Sequence, residues 1–293
     1  MRKKNMQFWY FLIHGLLDDK NGVYGNFYAY GKHCGEALEK TLEVAKLNGI
    51  QKPDLIETSR LDTLDGFELP EETEKVTSDI YMFPKLHSYE LKKNDYSFVP
   101  PVGVAFATDE SELDTELIKE KFVALNKNDN GVFEFELVVD KSKLHDTFLK
   151  TLNFLPSVDA FWIYLKDHWD NEETELWAGK ALNDKETIVN FLNRNVASTI
   201  ENGFVDTVVH SFTGETNLTL TEHKKIQLHT KSEDVFKNFI GKVVDLGFEQ
   251  TKDFYDIEFG YHHWHYRPEN SLDRKGFKKM LKKNHFENIE LKI

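Results

Sequence analysis

VFEFELVVDKSKLHDTFLKTLNFLPSVDAFWIYL, residues 132–165, changes its hydrophobic period twice within one stretch. Val132 to Val139 alternates apolar and acidic side chains, the period of two expected of a half-buried strand. Leu144, Phe148 and Leu152 then recur at helical spacing, and Ser142 stands where an N-cap belongs. Ala160 to Leu165 is apolar throughout, which predicts a strand covered on both faces, central in a sheet or under an interface.

Working outward, Leu176 to Leu182 reads as a pairing strand, about Asp184 to Ile200 as a helix, and Val205 to Phe212 as a returning strand. The order β-α-β-β-α-β is that of a ferredoxin-like split unit, in which helices cover one face of an antiparallel sheet. A partial echo follows. Ile226 to Thr230 predicts a strand, and Lys231-Ser232 opens a helix carrying Phe236, Phe239, Ile240, Val243 and Val244, as Lys141-Ser142 opens the earlier one. Each helix leads toward a His-Trp pair, His168-Trp169 and His263-Trp264. A helix from Leu272 to Lys283 capped by Ser271, and a strand from Glu287 to Leu291, complete the chain.

Toward the N-terminus, Phe8 to Leu16 and Val23 to Tyr30 read as a hairpin whose turn holds Asn21-Gly22. A helix follows through Ala37, Leu38, Leu42, Val44 and Ala45, with Gly49 beyond its end, and Asp54 to Ser59 returns as a strand. Pro70, Pro84, Pro100 and Pro101 then break the pattern into short strands, around Ile80 to Phe83 and Val102 to Ala107. The class is α+β, with repeated split β-α-β (ferredoxin-like) units forming mainly antiparallel sheet with helices packed on it. A length of 293 residues divides into two domains, 1–130 and 131–293.

The formal charge of −13 disfavours general attraction to nucleic acid or an anionic membrane and favours a basic partner. Acids crowd Asp54 to Asp79, Asp109 to Glu120 and Asp167 to Glu175, whereas Arg274, Lys275, Lys278, Lys279, Lys282 and Lys283 share one C-terminal segment. Cys34 is the only cysteine, so no internal disulfide forms, and a reducing, cytoplasmic setting is expected. Its place at the start of a helix favours thiolate, while packing as a small hydrophobe makes it inert; the second reading is preferred. The stretch NKNDNG, 126–131, lacks the first aspartate and twelfth glutamate of a calcium loop and reads as a turn. Phosphate loops, dinucleotide fingerprints and hydrolase elbows are absent from the sequence.

FGYHHWHYRPEN, 259–270, is the densest candidate site. Read as the end of a strand beginning near Phe254, it puts Tyr255, Ile257, Phe259 and Tyr261 on one face, continued by His263 and His265. Those two histidines could share a metal with ligands from elsewhere, among them His168, His223, His229 or Asp256. Trp264, Tyr266 and Arg267 belong to residue types enriched at binding hot spots. The leading expectation is a non-catalytic acidic binding protein, without cofactor, that engages a basic protein partner through these three residues; a toxin-neutralising inhibitor is one form. The alternative is a metal-dependent hydrolase using His263 and His265.

Overall fold

The structure is a computed structural model and describes residues 5–92, 98–108, 115–258 and 262–290. Positions 259–261 and 291, expected to extend strands, lie outside the described residues. In chain order the elements begin β1 (Gln7–Leu16), β2 (Asn21–Gly31), α1 (Cys34–Leu47), β3 (Gln51–Arg60), β4 (Glu74–Lys75), β5 (Ile80–Met82), β6 (His87–Glu90) and β7 (Val104–Ala107). They continue with β8 (Lys121–Leu125), β9 (Phe133–Leu137), α2 (Leu144–Leu152), β10 (Ala160–Leu165), β11 (Glu175–Gly179), α3 (Lys185–Arg194) and β12 (Val205–Ser211). The last are β13 (Thr216–Leu220), β14 (Ile226–Thr230), α4 (Glu233–Asp245), β15 (Glu249–Gln250), β16 (His263–His265), α5 (Arg274–Lys283) and β17 (Phe286–Ile289). The architecture is mixed α/β: two large, mostly antiparallel sheets and five helices.

Two units share the chain. The first comprises residues 1–100, 105–116 and 257–269; the second comprises 101–104, 117–256 and 270–293. In the first, the strand order is β16-β7-β3-β1-β2-β5-β4, with β6 also paired to β2. β1 and β2 form a ten-pair antiparallel ladder from Gln7↔Gly31 to Leu16↔Gly22. The turn between them differs from the Asn-Gly reading, because Asn21 and Gly22 already belong to β2. Asp18 closes it instead, its carboxylate accepting from the Lys20 and Asn21 backbone N–H groups at 2.7 and 2.9 Å. Turn polarity of this kind is what aspartate side chains supply. After α1, Gly49 takes φ +88°, the left-handed conformation that ends helices.

The second unit holds a sheet of order β15-β8-β9-β14-β13-β12-β10-β11-β17. Its core is one cluster in which Phe135, Phe161, Ile163, Val209 and Leu228 meet Phe148 of α2, Phe191 of α3, Phe239 of α4 and Phe277 of α5, all fully buried. Four helices thus share one face of this sheet. β10 is an inner strand, between β12 and β11, but the cover expected on both faces is found on one: Phe161, Ile163 and Leu165 are buried, whereas Trp162 and Tyr164 on the other face are partly exposed.

Several expectations change here. The β-α-β-β-α-β succession is present as β9-α2-β10-β11-α3-β12, but the ferredoxin-like arrangement is not confirmed. β9 pairs with β8 and β14, and none of β10, β11 or β12 neighbours it. The cause is β13, an alternating Thr216/Leu218/Leu220 strand that pairs with β12 and brings β14 in behind it. Ser142 does not cap α2, since its hydroxyl donates to Asp140 Oδ1 at 2.8 Å and Lys143 occupies the cap position. Ser232 does cap α4, accepting from Val235 N. α5 starts at Arg274 with Asp273 as N-cap, displacing Ser271 because Asp273 Oδ1 accepts the Gly276 N–H at 2.6 Å.

Candidate functional site: an aromatic sheet face with an acidic wall

Alternation along β1 sends its side chains to two sides of the sheet. Trp9, Phe11 and Ile13 are buried on one side, where Phe11 pairs with the buried Thr58 and α1 packs against β1, β2 and β3. That side therefore carries the helix. Phe8, Tyr10, Leu12 and His14 point to the other side, where Phe8 is buried as well. The register with β2 places Tyr30 beside Phe8, Tyr28 beside Tyr10, Asn26 beside Leu12 and Tyr24 beside His14. β5 extends the row with Tyr81 opposite Tyr28, and β3 sets Glu57 opposite Leu12 and Asp54 opposite His14.

The result is a face of rings that carry polar handles. Phe8 stacks on Tyr30 at 4.3 Å, Tyr10 lies 5.5 Å from Tyr28, and Tyr24 stacks on Tyr89 at 5.6 Å between ring centres. Tyr10 OH donates to Asn26 Oδ1 at 2.6 Å, and His14 Nε2 and Tyr89 OH share a hydrogen bond of 2.7 Å. Gly22 permits this last arrangement, because a side chain there would run into the Tyr89 ring. Burial, then the Glu57 charge, then Tyr28, push the Tyr10 phenol up. Burial raises Glu57 as well, and lowers His14 against the opposing pull of Asp54.

The segment after β3 folds across part of this face. Asp62 fixes its start: its carboxylate accepts from Phe8 N at 3.2 Å and from Arg60 Nε at 3.0 Å, while Leu61 N donates to Phe8 O at 2.8 Å. The Arg60 hydrogen bond, with others, holds the Asp62 carboxyl below the usual range. Between this segment and the sheet runs a groove of about 650 Å³, floored by Phe8 and Tyr30 and walled by Leu61, Leu64, Phe67 and Leu69. Leu64 and Phe67 remain 53% and 36% exposed. The groove wall itself is mainly apolar, with Asp62 its one acid, but the segment that supplies it is acid-rich: residues 61–75 read LDTLDGFELPEETEK, and Asp65, Glu68, Glu71, Glu72 and Glu74 are all exposed along it.

His263 to Arg267, singled out by sequence, lie in the first unit but outside this groove, whereas His168, His223, His229 and Asp256 belong to the second. His263, Trp264 and His265 form β16, three residues long; Phe254 to Glu258 is not a strand, which corrects the longer strand expected. The His263 and His265 ring centres are 5.0 Å apart. Trp264 meets Trp9 edge-on at 5.2 Å, so its ring is engaged with the sheet. Tyr266 is only 5% exposed, and a buried ring cannot serve as the exposed anchor expected of it. Arg267 is partly exposed, and its backbone carbonyl packs so closely on Gly35 that no side chain fits there. His33, the N-cap of α1, contacts Glu269 at 3.1 Å and is lowered to about 4, first by burial and then by the positive charge of Arg267. Cys34 is buried, and burial pushes its thiol far up, as the inert reading expects.

The second unit contains its own polar cluster, at the ends of β10, β12 and the β13–β14 turn. Asp206 Oδ1 accepts from Glu222 N at 2.6 Å, and Lys166 Nζ lies 3.3 Å from Asp206 and 3.0 Å from Glu222. Burial, then hydrogen bonding to Glu222 and its charge, raise Asp206, while hydrogen bonding to Asp206 and the Lys166 charge lower Glu222 against its burial. Lys224, at φ +64° and 2% exposed, donates to Asn202 O at 2.7 Å, and burial lowers it to about 8. Lys225 bridges Glu136 at 3.1 Å and Asp256 at 2.9 Å. These bonds tie an irregular turn to the strands beneath it, so the cluster has a structural task whatever else it does.

No family model, curated protein or solved structure matches the chain. The tyrosine face was missed by sequence reasoning, although its signal was present: Phe8, Tyr10, Tyr24, Tyr28 and Tyr30 occupy alternating positions in two strands joined by a short turn.

Proposed function

We propose that the chain is a non-catalytic acidic binding protein that engages a basic protein partner, and that the groove of the first unit is where it does so. The observation that carries the reading is a groove with an aromatic floor, walled by a segment whose exposed positions are rich in acids. Tyrosine supplies rigid contact area at low entropic cost and attracts cations to its ring face, while the carboxylates steer a basic segment toward it. A toxin-neutralising inhibitor remains one form of such a binder, and a cytoplasmic setting, away from nucleic acid and membranes, belongs to the same proposal. No helix among the described residues is long and apolar enough to cross a membrane.

The test is recovery of the partner from the native source, followed by titration calorimetry at rising salt. Tyr30→Ala should weaken binding about tenfold, as loss of a hot-spot ring does. Replacing Glu68, Glu71 and Glu72 by Gln should weaken it further at low salt than at high salt. Retained affinity in both variants would place the interface elsewhere, with Trp264 and Arg267 next to be substituted. The paired rings of His263 and His265 favour a second reading, a metal-dependent hydrolase. Elemental analysis decides it: stoichiometric zinc that is lost in His263→Ala/His265→Ala would support that enzyme.

A further inference from the structure

Glu57 stands apart from the other acids of the first unit. It sits mid-strand in β3, half-buried, on the aromatic face rather than on the exposed segment. Among the described residues, no hydrogen bond or ion pair reaches its carboxylate, although Asp62 nearby is fully engaged by Arg60 and backbone. Burial of a carboxylate without a partner is unfavourable, and proteins ordinarily compensate it. Among the described residues, the strand positions paired beside it on this face carry no lysine or arginine. β1 presents Tyr10 and His14, β2 presents Asn26 and Tyr28, β3 itself adds Asp54, and β7 sets Phe106 opposite Glu57. Tyr10 directs its hydroxyl to Asn26, not to Glu57.

We infer that Glu57 receives an arginine side chain of the basic partner, with the tyrosine rings beside it stacking on the guanidinium. This rests on the reading that the face binds a basic protein. Arginine fits better than lysine for two reasons. Its guanidinium is weakly hydrated and so enters a half-buried site at lower cost, and its planar fork can bond a carboxylate in two places while lying against a ring. Glu57 would then set specificity, while the acid-rich segment supplies attraction that does not distinguish one cation from another.

A pH signature follows. In the free protein burial raises Glu57, so part of the population is protonated at acid pH. The arginine favours the ionised form, so binding releases a proton and affinity rises with pH until Glu57 is fully ionised in the free protein. His14 faces the same region but is lowered by burial, and a Glu57 variant separates the two.

The probes are three short peptides, alternating leucine with arginine, with lysine or with citrulline, the uncharged counterpart of arginine. Calorimetry on the full chain should rank arginine above lysine and both above citrulline. Glu57→Gln should weaken the arginine peptide about tenfold, abolish its advantage over lysine and flatten the pH dependence. Replacing Glu68, Glu71 and Glu72 by Gln should weaken both cationic peptides alike and leave the ranking intact. If Glu57→Gln keeps the arginine preference and the pH slope, the inference is overturned while the groove reading stands. If no cationic peptide binds better than citrulline, and Tyr30→Ala changes nothing, the groove reading fails and takes this one with it. Circular dichroism on each variant confirms that folding is not the cause.

Discussion

The two sheets solve the same problem with different means. In the second unit four helices lie on one face of the sheet, and the rings beneath them are phenylalanines without polar atoms, such as Phe135, Phe148, Phe161 and Phe239. In the first unit α1 covers one face of β1, β2 and β3, and the opposite face is rich in tyrosines, of which Tyr10 reaches Asn26 and Tyr89 reaches His14 through their hydroxyls. A ring that stays partly wet needs a polar end, and a ring sealed under helices is better without one. Phe8, Tyr28 and Leu61 are buried on this face, while Tyr10, Tyr30 and Tyr81 packed against them stay partly exposed, as rings with polar ends can.

That contrast can be broken most directly by truncation. Phe161→Ala removes a fully buried ring that meets Phe191 and Phe286 edge-on, and should cost about 3–5 kcal/mol in chemical denaturation. Tyr24→Ala, on the open face, should cost about 1 kcal/mol, the worth of its stacking. Equal costs would mean that the tyrosine face is core after all.

Arg274 gives the next largest effect. It is 2% exposed and donates to the carbonyls of Lys166, Trp169 and Glu173 at 3.1, 2.8 and 2.6 Å, while contacting Glu172 and Glu175. Arg274→Ala strands these acceptors and should cost about 3 kcal/mol. A loss below about 1 kcal/mol would show that the fastening of α5 is carried by Phe277 and Leu281 alone.

Cys34→Ala should cost about 1–2 kcal/mol, and thiol labelling of the native protein should be slow until denaturant is added. Fast labelling would place the start of α1 among the mobile parts of the first unit.

The smallest effect is a pH slope in the second unit. Asp206 holds its proton in the folded chain at pH values where the unfolded chain has released it, so stability falls as pH rises through that interval. Glu222 is shifted downward and matters only below the ordinary carboxylate range, where its contribution is lost on acidification. Asp206→Asn should flatten the slope above that range. Denaturation midpoints measured across it, with and without the substitution, check this; an unchanged slope would assign it to another group.

How much of this was readable beforehand depended on distance along the chain. β1, β2, β10 and β12 were legible because a period of two needs only neighbouring residues, and the end of α1 because Gly49 is a local signal. The sheet order of the second unit was not. It turns on Leu228 pairing with Phe135, a choice settled by packing across more than ninety positions and by the overlooked strand β13. The histidine-rich run attracted notice through composition, yet Tyr266 shows that a rare residue cluster does not reveal which rings are sealed. The groove needed the acidic segment to fold over a particular face, and alternation alone does not say which side a helix will take.

The first unit is also discontinuous, and β16 is its outermost strand beside β7. A ribosome making this chain emits β7 and then the second unit's strands through β15 before His263 emerges. At usual synthesis rates the wait is roughly ten to thirty seconds. Throughout it, β7 has one edge with unanswered backbone groups, open to any strand that arrives first. The nascent protein is therefore most vulnerable to mispairing at the sheet it starts earliest, and residues 262–265 act as a late seal on it.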